Sequence, residues 1–317
     1  MTKSVTKKSF PRPRKRNIDK DEIKKFLKTI DFQPSKIFQE WRHLLAFGEY
    51  QGKPTVFKLA STQTTGRHTR NEYHWNEAVN AVPTEHRQHF RIPTNYTKGT
   101  WQKLFWFIAE QFPDKPLVKK YETNVFLVSE KLPQITQTTR EINTLPLPKG
   151  YEFSKPRNTE LTIGEKLLNS TTYWAENAPE DLGEFVKIVA KRKKDLRACP
   201  NHGDFVPRQL YDLGNKIGLI DGEHAGAFGP LYYDVAQFYL RLRDHHQAPE
   251  LAHQYLELYR DLLSEKEQAV FWQELKPPLC QRYVGTLWGD SKHTRQKEKR
   301  MKKLYELGEE ILDDQII

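Results

Sequence analysis

The segment from residue 201 to residue 223 constrains the fold of this chain more than any other part. It carries Gly214-Asn215 between two short β-prone runs, an arrangement typical of a hairpin with a two-residue turn. A turn centred on this pair returns Asp221 opposite the residue just before Gln209, because turn length fixes the register of a hairpin. Gln209 and Asp221 are therefore expected side by side at the open end of the hairpin.

Asp204 lies in the loop that leads into the same end of this hairpin. Two carboxylates and a carboxamide that converge there offer the oxygen ligands that Mg²⁺ prefers. A metal held in this way clamps phosphate oxygens, and one carboxylate stays free to accept a proton. The segment on its own thus favours phosphate chemistry centred on Asp204, Gln209 and Asp221.

The first third of the chain combines the alternation of apolar and polar residues that is typical of strands with two helical patterns. Residues 19–30 predict a short amphipathic helix, and residues 43–60 predict a β-hairpin around a glycine-containing turn. Thr69 to Glu72 has the form of a capping box, which predicts that a helix starts there. The apolar run 104–109 has the length of a strand, although a buried helical segment fits its periodicity equally well.

The remainder of the chain is mainly helical in pattern. Amphipathic helices are predicted over residues 125–142 and 179–196, with a loop over 143–162 between them. Further helices are expected around residues 251–262 and 296–312. Strands first and helices later indicate an α+β fold, with a small N-terminal lobe and a larger helical one.

The net charge of +10 is concentrated in two terminal segments. Residues 1–30 carry 11 basic and 3 acidic side chains, and residues 291–303 carry 7 and 1. The rest of the chain is therefore slightly acidic, which argues against a core that binds nucleic acid. Basic tails that contact nucleic acid remain an alternative. In that case, deletion of residues 1–18 would flatten the salt dependence of binding.

Composition excludes several other classes. Two cysteines, Cys199 and Cys280, are too few for a disulfide scaffold or a cysteine-based zinc cluster. No apolar run approaches the roughly 20 residues of a membrane helix. The basic N-terminus has no apolar segment behind it, unlike a secretory signal. A cytoplasmic location is the expectation.

The motifs taken together resemble one superfamily. The sequence His202-Gly203-Asp204, an amide five residues later, and a hairpin that ends in Asp221 are similar to the aminoglycoside phosphotransferase and choline kinase-like superfamily, relatives of the protein kinases. Tyr232 to Ala236 resembles the downstream aspartate motif, and the strand at Val56 to Lys58 resembles the one carrying the ATP-phosphate lysine. The resemblance covers about residues 40–290 and implies a two-lobed protein-kinase-like fold, with a β-rich N-lobe and a larger helical C-lobe.

The resemblance also implies roles within phosphoryl transfer from ATP to a small-molecule hydroxyl. Asp204 would accept the hydroxyl proton, while Gln209 and Asp221 would hold Mg²⁺. Lys58 would steady the ATP phosphates, oriented by Glu72. The adenine would lie against the segment between the lobes, at three residues: Ile108, Ala109 and Glu110. Asp234 would brace the catalytic loop.

Two departures from the superfamily pattern keep a second interpretation open. Gln209 stands where the superfamily usually has Asn, and Arg208 stands where a small residue is common. Because Mg²⁺ demands near-ideal octahedral geometry, the extra methylene favours the alternative of a weakly active or inactive kinase-like protein that binds nucleotide or a partner.

These inferences give an expected organisation in three parts. Residues 1–18 form a basic tail, residues 19–111 form the nucleotide-binding lobe, and residues 112–317 form the helical lobe with the catalytic and metal-binding loops. The expected partner of the core is a small molecule with a hydroxyl group.

Overall fold

The computed structural model describes residues 17–113, 115–119, 122–148, 161–290 and 297–316. The strands are β1 (Phe32–Glu40), β2 (His43–Tyr50), β3 (Lys53–Ala60), β4 (Phe90–Arg91), β5 (Asn95–Trp101), β6 (Leu104–Glu110), β7 (Ala198–Asn201), β8 (Leu210–Asp212), β9 (Ile217–Leu219) and β10 (Gly226–Pro230). The helices are α1 (Lys20–Thr29), α2 (Gln63–Asn80), α3 (Phe126–Glu130), α4 (Leu132–Thr144), α5 (Ile163–Glu176), α6 (Gly183–Arg192), α7 (Tyr233–Leu240), α8 (Pro249–Asp261), α9 (Glu265–Asp290) and α10 (Lys297–Leu312). Most of the predicted tail at 1–18 and most of the predicted loop at 143–162 lie outside the described residues.

An antiparallel sheet in the order β1-β2-β3-β6-β5 forms the N-terminal part. The predicted hairpin is present as β2 and β3, and it turns at Gln51 and Gly52, whose φ angles of 52° and 70° suit the primed turns that hairpins favour. The strand predicted at 104–109 is β6. β1 was not predicted, because its side chains are mostly exposed or half-buried and give no clear alternation.

Helix α2 lies against this sheet and starts earlier than the sequence suggested. Thr62 caps it by accepting a hydrogen bond from the amide of Thr65 at 3.1 Å. The predicted capping box is therefore wrong. Thr69 lies inside the helix, where its hydroxyl donates to the carbonyl of Thr65 at 3.0 Å, and Glu72 is buried one turn later.

The helical part encloses a second core, to which α2 also contributes through Trp75 and Val79. The single helix predicted over 125–142 is two helices, because Pro133 stands in the first turn of α4, where its missing amide costs no hydrogen bond. The helix predicted over 179–196 is the shorter α6. An unpredicted helix, α5, precedes it and begins with a capping box between Thr162 and Glu165. No helix in the described ranges combines the length and apolarity that crossing a membrane requires.

The hairpin of β8 and β9 has the predicted register. Leu210 pairs with Leu219 and Asp212 with Ile217, while the amide of Leu213 donates to the carbonyl of Lys216. Strand β4 adds to β9 in parallel, so that a segment from the first third of the chain completes the small sheet β4-β9-β8. This sheet places Gln209 and Asp221 at its edge, next to the N-terminal sheet.

Candidate active site

Lys58 on β3 is surrounded by three carboxylates. Its ammonium nitrogen lies 2.5 Å from Glu72 Oε2, and 2.9 Å from both Asp221 Oδ1 and Glu223 Oε1. The side chain of Lys58 is only 12% exposed. Burial opposes its positive charge, but the three carboxylates outweigh burial and raise the pKa of Lys58 well above its usual value. The structure thus keeps this lysine charged among the three carboxylates.

The carboxylates around Lys58 differ in their electrostatics. Attraction to Lys58 outweighs burial at Asp221 and Glu223 and lowers the pKa of both below the usual range. At Glu72, burial together with repulsion from Asp221 and Glu223 outweighs the same attraction and raises the pKa. Glu72 is therefore the carboxylate of this group that binds a proton most readily.

Glu223 is a residue that sequence reasoning missed. Besides Lys58, it accepts a contact from His43 Nε2 at 3.0 Å and pairs with the guanidinium of Arg42. Arg42 and His43 come from the turn and first residue of β2, far from Glu223 in the sequence. The spacing Asp221-x-Glu223 after a strand is the one local signal that points to it.

The turn after Asp221 is fixed by α2. Asp221 itself has a left-handed φ of 71°. The side-chain amide of Asn71 donates to the carbonyls of Ala225 at 2.8 Å and Glu223 at 3.2 Å. A Cβ on Gly222 would lie 2.4 Å from Trp75 Cδ1, so only glycine lets the turn approach the helix this closely. The same helix therefore orients Glu72 and fixes the position of Asp221.

The loop that carries Asp204 is held by Asp234, as the resemblance implied. The buried carboxylate of Asp234 accepts hydrogen bonds from the backbone amides of His202 at 2.6 Å and Gly203 at 2.9 Å. Gly203 has a φ of 75°, and a Cβ there would lie 2.3 Å from the carbonyl oxygen of His224. These contacts fix the backbone immediately before Asp204.

Asp204, Gln209 and Asp221 meet as expected. The side-chain nitrogen of Gln209 donates to Asp204 Oδ2 and to Asp221 Oδ2, each at 2.9 Å. Gln237 on α7, which was not predicted, donates to the other oxygen of Asp204 at 3.2 Å. Hydrogen bonds therefore run without interruption from Lys58 through Asp221 and Gln209 to Asp204.

The three residues predicted to lie beside the adenine are at the end of β6. Ile108 and Ala109 are buried, and Ala109 pairs with Val56 on the strand that carries Lys58. The side chain of Glu110 faces away from Lys58, since it pairs with Arg91 and accepts from the amide of Thr94 at 3.3 Å. Any part of Glu110 in nucleotide binding would therefore fall to its backbone.

The oxygen ligands of this site suit a divalent cation. Carboxylate oxygens of Glu72, Asp221 and Glu223 lie within 4.8 Å of one another. The side-chain oxygen of Gln209 is buried and has no hydrogen-bond partner in the described part of the chain. A buried amide oxygen without a partner beside Asp221 is what a hard cation would satisfy.

No protein-family model and no curated protein matches the chain. Its fold matches solved structures: aminoglycoside phosphotransferase APH(4)-Ia superposes with a TM-score of 0.62 at 14% identity, over 94% of this chain and 98% of that one. Amicoumacin kinase, solved with AMP-PNP and Ca²⁺, gives 0.60 at 13% identity, over 94% of each chain. Aminoglycoside 2′-phosphotransferase-IIIa, solved with GDP, gives 0.57 at 13% identity, over 94% of this chain and all of that one. The predicted fold is thereby confirmed: the chain has the two-lobed, protein-kinase-like fold of small-molecule phosphotransferases.

Proposed function

We propose that this protein transfers the γ-phosphoryl group of ATP to a hydroxyl group of a small molecule, with Mg²⁺ as the metal. The observation that carries the proposal is the continuous set of contacts from Lys58 to Asp204. It joins a charged lysine, a carboxylate with a lowered pKa, a bridging amide and a second carboxylate through successive contacts.

Each residue in this set has a chemical role in the proposal. Lys58 binds the phosphates of ATP, and Glu72 orients it. The oxygens of Gln209 and Asp221 hold Mg²⁺, with Glu223 as an additional carboxylate within reach. A bound Mg²⁺ neutralises phosphate oxygens. The segment at Ile108 to Glu110 borders the adenine.

Asp204 acts as the general base. The acceptor hydroxyl oxygen forms a bond to the γ-phosphorus, the bond from that phosphorus to the ADP oxygen breaks, and the hydroxyl proton passes to Asp204. Hydrogen bonds from Gln209 and Gln237 fix the carboxylate, so that it meets the hydroxyl in one orientation. The solved complexes of the structural neighbours, with ADP and hygromycin B or with AMP-PNP and Ca²⁺, support a nucleotide and a small-molecule acceptor by analogy of fold.

The test separates binding from transfer. Asp204→Asn should bind Mg²⁺-AMP-PNP within about twofold of the wild type and lose about 10²–10⁴ of its ATP turnover over a panel of hydroxylated metabolites. Asp221→Asn should lose nucleotide affinity as well. Asp212→Asn is the matched control in the same hairpin, where the carboxylate pairs with Lys131 instead, and it should behave as wild type. A wild-type protein that binds no Mg²⁺-AMP-PNP and is as inert as its variants would refute the proposal.

One observation favours the second candidate, a kinase-like protein of little or no activity. Both amide hydrogens of Gln209 are used by carboxylates, and the guanidinium of Arg208 lies 3.9 Å from Asp204. If Gln209 impairs the metal site, Gln209→Asn should raise the affinity for Mg²⁺ and nucleotide. Unchanged affinities in this variant would argue against the second candidate.

A further inference from the structure

Three arginines from three separate elements lie close to Asp204 or to the helix that contacts it. Arg208 is on the loop before β8, Arg241 follows the last residue of α7, and Arg282 is in the middle of α9. Arg208 Nη2 lies 3.9 Å from Asp204 Oδ2, and its side chain is 57% exposed. In the slightly acidic body of this chain, Arg208, Arg241 and Arg282 form a local positive cluster, called here the arginine cluster.

Helix α7 connects the other two arginines to Asp204. Tyr233, Gln237 and Arg241 follow one another at intervals of four residues and therefore share one helix face. Gln237 donates to Asp204 at 3.2 Å, which shows that this face is turned towards the catalytic carboxylate. Arg282 Nη1 donates to the hydroxyl of Tyr233 at 3.1 Å, and its guanidinium lies over the Tyr233 ring at 5.5 Å.

The positive charge of this cluster is poorly balanced. Neither Arg241 nor Arg282 forms an ion pair with any carboxylate in the described ranges, and the buried Nε of Arg282 has no hydrogen-bond partner there. Asp244, the other nearby acid, is already held by Arg300 through two 2.6 Å contacts and by His245 at 2.8 Å. Burial and then repulsion from Arg282 lower the pKa of Arg241, as expected for two guanidinium groups that share a site.

We propose that the acceptor is an anionic small molecule, whose carboxylate or phosphate group binds to the arginine cluster while its hydroxyl faces Asp204. This inference rests on the proposed function and names its substrate class. Guanidinium groups match carboxylate and phosphate oxygens in shape as well as charge, and a partly desolvated set of them repels cations. A polycationic aminoglycoside is therefore a poor acceptor for this chain, in spite of the shared fold. The anionic group takes no part in the reaction, and the acceptor proton passes to Asp204 as described above.

The test compares four probes on protein saturated with Mg²⁺-AMP-PNP, which keeps anions out of the nucleotide site. D-glycerate and glycerol 3-phosphate carry the anionic group, glycerol lacks it, and hygromycin B is cationic. Ligand-observed NMR should show that the two anions bind at least about tenfold more tightly than glycerol, and that hygromycin B binds weakest. Arg241→Gln and Arg282→Gln should each weaken binding of the anions about tenfold, the usual scale for one charged hydrogen-bonding group. Arg260→Gln, on the exposed side of α8, is the matched control and should change nothing.

The outcomes separate this inference from the proposed function. Equal binding of glycerol and the anions, tighter binding of hygromycin B, or no effect of the arginine variants would overturn the inference even where nucleotide binds normally. If AMP-PNP does not bind, the proposed function fails, and the same four probes with the variants on free protein still decide the charge preference. Arg208→Gln tests the cluster at an exposed position, where loss of the side chain does not threaten folding.

Discussion

At the scale of single residues, Gln209 determines how the carboxylates of this site are held together. Its longer side chain lets one nitrogen donate to Asp204 and Asp221 together, and it leaves the amide oxygen buried without a partner. A bridge of this kind relieves the repulsion between two carboxylates that face the same cleft. Binding of a cation to the oxygen would remove the same repulsion in another way.

Gln209→Glu tests this bridging role. A third carboxylate between Asp204 and Asp221 should lower the free energy of unfolding by about 1–3 kcal/mol in EDTA, because repulsion replaces two hydrogen bonds. Mg²⁺ should restore more stability to this variant than to the wild type, as seen in the melting temperature. Gln273→Glu, at an exposed position on α9, controls for the added charge. Equal melting temperatures of Gln209→Glu and wild type in EDTA would contradict the bridging role.

Glu223 gives a prediction about how the stability of the protein depends on pH. The pKa of this carboxylate is lowered in the folded protein by Lys58, His43 and Arg42, against the effect of burial. The stability that Glu223 contributes is therefore present above its unfolded pKa of about 4.5 and is lost as the pH falls below that value. Glu223→Gln should cost about 1.5–3 kcal/mol at pH 7, measured by urea unfolding.

That cost of Glu223→Gln should shrink steadily below pH 4.5, because the carboxylate of the unfolded chain then binds a proton while the folded protein, with its lowered pKa, still keeps it ionised. Glu257→Gln, on the exposed surface of α8, should show no comparable dependence on pH. A cost that stays constant from pH 7 to pH 4 would mean that the ion pairs of Glu223 contribute nothing to stability.

The predicted proximity of Gln209 and Asp221 depends on local chain geometry. A two-residue turn fixes the register of β8 and β9, and this places Gln209 beside Asp221. Glu223 and Gln237 were missed because their partners are distant in sequence: Glu223 meets Arg42 of the β1–β2 turn, and Gln237 meets Asp204 from the next helix. Such contacts are set by tertiary packing, which a local pattern does not record.

At the scale of elements, the loop between β7 and β8 holds Asp204 in place through one glycine. Gly203 and Gly214 both have positive φ angles, 75° and 82°. They differ in surroundings, because a Cβ on Gly203 would meet the carbonyl oxygen of His224, whereas Gly214 has open space. A comparison of alanine variants of these two glycines therefore separates the cost of backbone strain from the cost of a steric clash.

Gly214→Ala should destabilise the protein by about 1–2 kcal/mol, the usual cost of a side chain in this backbone region. Gly203→Ala should cost clearly more, because the loop must also move away from His224, and it should reduce ATP turnover by displacing Asp204. Thermal unfolding and turnover, measured on both variants, check this prediction. Equal stability and turnover of the two would show that the close approach at Gly203 has no consequence.

The misassigned elements have physical causes. The sequence from Thr69 to Glu72 matches a capping box, but the helix is already capped by Thr62. The carboxylate of Glu72 pairs instead with Lys58 on β3. Helix α3 ends where Pro133 opens α4, a break that amphipathic periodicity alone does not reveal. The buried ion pair with Lys58 therefore explains why Glu72 does not cap the helix, and the backbone of Pro133 explains the break between α3 and α4.

At the scale of the whole molecule, charge is arranged by region. The excess positive charge belongs to the two terminal segments, and the site residues lie in the slightly acidic body between them. Within that body, Lys58 is matched by three carboxylates, whereas Arg241 and Arg282 have no carboxylate partner among the described residues. The nucleotide side of the site thus has no excess positive charge before ligand binds, whereas the acceptor side retains positive charge.

The most direct test of this account is a crystal structure of the protein soaked with Mn²⁺ and AMP-PNP, with the metal located by its anomalous scattering. We predict one or more Mn²⁺ ions bound by Asp221 and by the side-chain oxygen of Gln209, with the γ-phosphate facing Asp204 and the adenine against residues 108–110. A cleft without metal or nucleotide at saturating concentrations, with the Gln209 amide still bonded to both carboxylates, would contradict the central claim that this set of residues transfers phosphate.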